Sequence, residues 1–124
     1  MRNLFFALLL IAAAPAWAGW EKFATNAESS TIYLDPGTRR TGALPRIWML
    51  VNYAAPDRFG KLSAKVLWQA DCRQGRTKAL TYVHFDEPMG QGSADTNNES
   101  GDWIYPAPDS IIAEVYALLC GRQP

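Results

Sequence analysis

The chain reads as a small α+β domain: an antiparallel β-sheet with a C-terminal α-helix packed on one face and disulfide-linked to it. Three observations predict this. Alternating apolar and polar positions recur from residue 20 to residue 85, with short turn signals between them, which is the pattern of antiparallel hairpins. Apolar residues then recur at helical spacing from Ile111 to Leu119. The chain has two cysteines. Cys72 closes the longest alternating run and Cys120 closes the helical run. An even cysteine count behind an export signal points to a disulfide between them.

The export signal occupies residues 1–18. Arg2 supplies the positive start, Leu4 to Ala14 is an uninterrupted apolar run, and Ala16-Trp17-Ala18 fits the small-x-small cleavage pattern. That run is shorter than the roughly 20 residues a membrane span needs, so it reads as a cleavable signal peptide rather than an anchor helix. No cysteine follows it to carry a lipid. One domain, residues 19–124, is then expected, in the periplasm, outside the cell or on its surface. No membrane span is expected after signal cleavage.

Trp20 to Ala24 is a short strand candidate. Thr31 to Asp35 alternates and ends at the Pro36-Gly37 turn signal, where proline fixes φ and glycine accepts positive φ. Arg46 to Tyr53 is apolar on both faces, with Ile47, Met49 and Val51 opposite Trp48 and Leu50, as a central strand would be. Leu62 to Cys72 sets Leu62, Ala64, Val66, Trp68, Ala70 and Cys72 on one face. Ser63, Lys65, Leu67, Gln69 and Asp71 lie on the other. Gln74-Gly75 turns the chain into Thr77 to Phe85. Met89 to Asp102, with its glycines and polar cluster, reads as an exposed loop, and Trp103 to Tyr105 as a short strand. Asp109 or Ser110 caps the helix, whose apolar stripe is Ile111, Ile112, Val115, Leu118 and Leu119. Gly121 ends it, with glycine suited to a left-handed cap.

The disulfide fixes the parity of the strand before it. Cys72 faces the helix, so Trp68 and Val66 should pack under Ile112, Val115 and Leu119 unless a bulge intervenes. Closing so long a loop removes unfolded-state freedom worth roughly 4 kcal/mol.

Chemistry is sparse in this sequence. Twelve basic and twelve acidic side chains balance, which argues against nucleic acid as a partner. The single histidine, His84, precedes Asp86. As a general base with an orienting carboxylate the pair would make a small hydrolase, but spacing places no nucleophile beside it, and a polar strand position explains His84 as well. A Cys72–His84 nucleophile or metal site would leave Cys120 without a role. Asp95 to Glu99 spaces oxygen donors like the start of a calcium loop, yet Ser100 and Pro106 stand where glycine and a bidentate glutamate belong. Asn98-Glu99-Ser100 formally matches a glycosylation acceptor. No catalytic, metal or cofactor set is assigned. Arg39-Arg40 and Arg73 to Lys78 are basic clusters in turns. Solvation explains both, and an anionic partner such as a glycosaminoglycan is the alternative.

The ordered set Trp20, Ile32-Tyr33-Leu34-Asp35, Ile47-Trp48-Met49-Leu50, Ser63-Ala64-Lys65-Val66-Leu67, Asp71-Cys72, Trp103, Pro106, Ser110 and Cys120 resembles the surface-adhesin protein E family of Gram-negative bacteria. The resemblance runs over nearly the whole chain after residue 18. It implies a sheet of about six strands with one helix joined by the disulfide, and adhesion to host extracellular-matrix or serum proteins. No binding residue of the family carries over by motif. One helix covers one face of such a sheet, so the other face, with Ser63, Lys65, Leu67 and Gln69, is the candidate protein-contact surface, for a ligand protein or for a homodimer partner. The expected function is an exported, non-enzymatic binding module. The alternative is a periplasmic structural or envelope-assembly protein with no host ligand.

Overall fold

The computed structural model describes residues 19–121; the expected signal peptide and the last three residues lie outside them. Six strands form one antiparallel meander in which every strand pairs with its sequence neighbours. They are β1 (Glu21–Thr25), β2 (Thr31–Leu34), β3 (Arg46–Asn52), β4 (Ser63–Asp71), β5 (Arg76–Phe85) and β6 (Ala94–Asn97), followed by α1 (Ile111–Cys120). The first five strands fall where alternation placed them, within a residue or so at each end.

The sixth does not. Trp103 to Tyr105 contributes only an isolated bridge between Ile104 and Thr77. The sixth strand lies inside the segment expected to be a loop, where Ala94 to Asn97 pairs with Phe85 to Tyr82. Further along, the Gly101 N–H donates to the Ala79 carbonyl at 2.8 Å. The chain from Ala94 to Ile104 therefore runs along the outer edge of β5 and covers its free backbone groups.

On one face of the sheet, Ile32, Leu34, Ile47, Met49, Val66, Trp68, Ala70 and Ala79 form a single apolar cluster with Val115 and Leu119 of the helix. Ile112 packs against the same cluster, so the expected partners of Val66 and Trp68 are in place. The β4–β5 pairing does contain a bulge: Leu67 opposes Thr81 while Trp68 opposes Ala79. The extra residue, Leu80, is on β5, so β4 keeps strict alternation and Cys72 stays on the helix side.

Cys72 and Cys120 are disulfide-bonded, with Cα atoms 5.5 Å apart and 48 residues apart in sequence. Two hydrogen bonds reinforce the docking. The Tyr116 hydroxyl donates to the Cys72 carbonyl at 3.3 Å. Arg39 donates from Nη2 to the Leu118 carbonyl at 2.9 Å, satisfying one of the orphan carbonyls at the helix end. Ser110 is the N-cap, accepting from the Ala113 N–H at 3.1 Å. Leu118 leaves the expected apolar stripe: it is exposed, while Val115 and Leu119 are buried. Gly121 has φ 77° and ψ 147°, so the chain leaves the helix extended rather than through a left-handed cap, in a region essentially reserved for glycine.

Candidate functional site

A helix of ten residues is about 15 Å long, and β5, with its ten residues, about 33 Å. The helix thus covers only part of one face, and two other areas of the sheet have to be settled by other means.

On the face opposite the helix, cross-strand pairing sets side chains in rows. Asn52 opposes Ser63, which opposes Phe85; Leu50 opposes Lys65; Trp48 opposes Leu67; Arg46 opposes Gln69. One end of this face is closed by the protein itself. A tight turn at Pro88–Gly90 folds back over β3 and β4. The Ser63 hydroxyl donates to the Glu87 carbonyl at 2.7 Å and accepts from the Gly90 N–H at 2.8 Å. Asn52 Oδ1 accepts from the Met89 N–H at 2.8 Å. Ser63 and Leu50 are each 0% exposed as a result. Met89 and Gly90 both take positive φ to make this turn, and a β-carbon on Gly90 would lie 2.7 Å from Lys65 Cε. Ser63 is therefore not available to a partner.

Lys65 is half-buried. Its ammonium lies 5.5 Å from the Trp20 ring and 5.2 Å from the Phe85 ring, in cation–π range of both. Beyond it the face opens. Trp20, Asp35, Thr38, Trp48 and Lys65 line a shallow cavity of about 270 Å³. Thr38, Arg40, Arg46, Trp48 and Leu67 line an adjoining one of about 230 Å³. Trp48 and Leu67 are half-buried at the centre of this surface, with Gln69 beside them. Of the residues around this centre, Lys65 was expected in the contact set and Arg40 in a basic cluster, whereas Trp48 and Arg46 were not assigned to the contact surface from sequence. The signal was present in the alternation of β3, which sets Arg46 and Trp48 on the face shared by Leu67 and Gln69.

The second area lies on the helix side, beyond the reach of the helix. Asp57, Phe59, Lys61, His84 and Asp95 line a cavity of about 320 Å³. Tyr82 stacks on His84 with ring centroids 6.1 Å apart. Lys61 holds Asp86 at 2.6 Å and Asp95 at 3.0 Å. Those two hydrogen bonds raise the Lys61 ammonium above its ordinary range. Asp86 is thus taken by Lys61 instead of orienting His84, and Asp95 serves as a strut holding β6 to the loop after β3 rather than as a calcium ligand. The Asp57 carboxyl falls below its usual range, chiefly because it accepts from the Lys61 backbone N–H, with Phe59 donating as well. Burial raises the Tyr53 and Tyr82 hydroxyls. Among the described residues no cluster of three or more histidine, cysteine or acidic side chains is placed to hold a metal ion. Nor is any helix among them long and apolar enough to cross a membrane.

The family model for surface-adhesin protein E matches residues 20–121. The chain belongs to the surface-adhesin protein E family. Solved structures of Haemophilus influenzae protein E share the fold at 16% sequence identity. Its crystal form II superposes with a TM-score of 0.63, covering 83% of this chain and 87% of that one. The structure of its Se-Met form gives 0.62, with 85% and 88% covered. Protein E from a non-typeable strain gives 0.60, with 83% and 76% covered. No curated protein sequence matches. The fold is thus shared with solved structures of a protein from a family named for surface adhesion.

Proposed function

We propose that this protein is an exported, non-enzymatic binding module that contacts host matrix or serum proteins through the open part of the sheet face opposite the helix. Family membership supports the class of activity, and the carrying observation is the surface itself. Trp48 and Leu67 form an apolar centre rimmed by Lys65, Gln69, Arg40 and Arg46, all on strands β3 and β4 except Arg40, which bridges to Arg46. An apolar anchor within a polar rim is the usual composition of a protein contact, and tryptophan and arginine are frequent anchors. Lys65, Leu67 and Gln69 remain in the proposed contact set, while Ser63 drops out because its own chain buries it. Much of the segment from Met89 to Asp102 is taken up by the turn at Pro88–Gly90 and by β6. A second copy of the chain is the other partner this surface would fit.

The test is saturable binding of the purified protein to immobilised matrix and serum proteins, with Trp48→Ala and Leu67→Asp as variants. Binding that both variants weaken at least tenfold, with His84→Ala unaffected, supports the reading. Binding to none of the ligands, or equal binding by all variants, removes it. Sedimentation of the same variants separates a homodimer surface from a ligand surface.

A further inference from the structure

The sequence holds two basic clusters; the structure divides the first between the two sides of the sheet and brings a member of it into line with one of the second. Arg39 turns to the helix and caps Leu118. Arg76 is held by Asp71 at 3.0 Å. Arg40 and Lys78 lie on the face opposite the helix, where Arg76 also sits beside Lys78, already paired. Arg40 bridges Arg46, Arg46 opposes Gln69, and Gln69 opposes Lys78. Directly opposed residues project on the same side of an antiparallel sheet. Arg40, Arg46, Gln69 and Lys78 therefore make one straight row across four neighbouring chain segments, roughly 14 Å from end to end at strand spacing.

The row is uncompensated. Among the described residues the ion pairs involve only Lys61, with Asp86 and Asp95, and Arg76, with Asp71. Arg40 donates from Nη1 to the carbonyls of Gly37 and Arg39, which leaves its other guanidinium donors for a ligand. Lys78 is steadied over the Trp103 ring at 4.5 Å, with Arg76 at 4.6 Å from the same ring. Asp71 is the nearest carboxylate on this face, two positions along β4 from Gln69, and it is taken by Arg76 at 3.0 Å; Asp35 lies beyond Trp48 and accepts from the Gly37 N–H at 3.0 Å. In a chain of zero net charge, three unpaired cations in line are a local field rather than a general basicity.

We propose that this row binds a linear sulfated polysaccharide, laid across the strands with its sulfate groups on Arg40, Arg46 and Lys78. Gln69 supplies an amide between the charges, and the Trp48 ring beside the row offers an apolar face to a sugar ring. The site is open and shallow, which suits a chain that enters and leaves from both ends. A lipid surface fits less well. The two most exposed large apolar side chains, Phe59 and Tyr105, are outside the row, and Leu44 in the turn between Arg40 and Arg46 is the one beside it. This inference deepens the binding-module reading and rests on it for its biological setting, since matrix carries such polysaccharides.

The test uses heparin as probe and the purified protein, measured by calorimetry and by salt elution from a heparin column. Arg40→Ala, Arg46→Ala and Lys78→Gln are each expected to weaken heparin about fivefold. Arg58→Ala, which removes an equal charge elsewhere, is expected to leave it unchanged. Far-UV circular dichroism and melting temperature confirm that each variant folds. Desulfated heparin binds weakly if the row reads sulfate. The proposal is overturned by no heparin retention at low salt, by equal weakening in Arg58→Ala and the row variants, or by binding to anionic vesicles without heparin. Saturable binding to a glycan-free matrix protein without heparin binding would sink this inference alone. Loss of both would sink the binding-module reading with it.

Discussion

Removing the crosslink by Cys72→Ser with Cys120→Ser isolates what it contributes. The bond closes a loop with a sequence separation of 48. In the chain-entropy model a loop of that length restricts the unfolded state by about 4 kcal/mol. That is a large fraction of the roughly 5–15 kcal/mol by which a domain is stable. The folded state loses less, because α1 is also held by Val115 and Leu119, each burying a side chain worth about 1.5–3 kcal/mol. The variant should therefore keep its far-UV spectrum at low temperature and lose resistance to denaturant. With a urea slope of about 1.3 kcal/mol/M, the midpoint should fall by about 3 M. The slope should rise slightly, because the uncrosslinked chain expands further. Urea titration of the oxidised protein against the double variant measures both. A midpoint shift below about 0.5 M would refute the reasoning, since it would put the contribution under about 1 kcal/mol.

Ser63→Ala removes the buried hydroxyl that accepts from the Gly90 N–H and donates to the Glu87 carbonyl, and so loosens the turn that closes the sheet face; a loss of about 1–2 kcal/mol is expected by urea titration. Asp71 gives the sign of the acid response. Burial alone would raise its carboxyl, but the Arg76 guanidinium and the Gln74 N–H outweigh it and hold the group below its ordinary range. A depressed folded value means that its stabilisation is complete above about pH 4 and is lost as pH falls through the folded value. The stability gap between the native protein and Asp71→Asn, followed by thermal melts from neutral pH to pH 2, should close on the acid side and stay constant above it. Thr77 is buried, and its hydroxyl has no hydrogen-bond partner in the protein. Thr77→Val should therefore stabilise by up to about 1 kcal/mol, read from the same melts.

The strands that could be read from sequence are those whose two faces differ or are both apolar. β3 announced itself as central, and β4 kept the parity that its cysteine demanded. β6 was invisible because Ala94-Asp95-Thr96-Asn97 is exposed at every position and has low strand propensity. It is a strand because β5 has an edge to cover and Lys61 holds Asp95. The burial of Ser63 was equally hidden, since it depends on a turn some 25 residues downstream. Leu118 fitted the helical stripe by spacing, but the cluster takes Ile111, Ile112, Val115 and Leu119 from the helix and leaves Leu118 exposed. The basic row shows the limit most clearly: Arg39 and Arg40 are adjacent in sequence and serve opposite faces, which only the register of neighbouring strands decides.

The measurement that bears most directly on an adhesive role is surface labelling of intact producing cells with an impermeant amine reagent, with lysed cells as the reference. An exported binding module predicts labelling of this protein in intact cells, or its recovery outside them. Labelling only after the outer barrier is opened would contradict it and leave an envelope protein with no host contact.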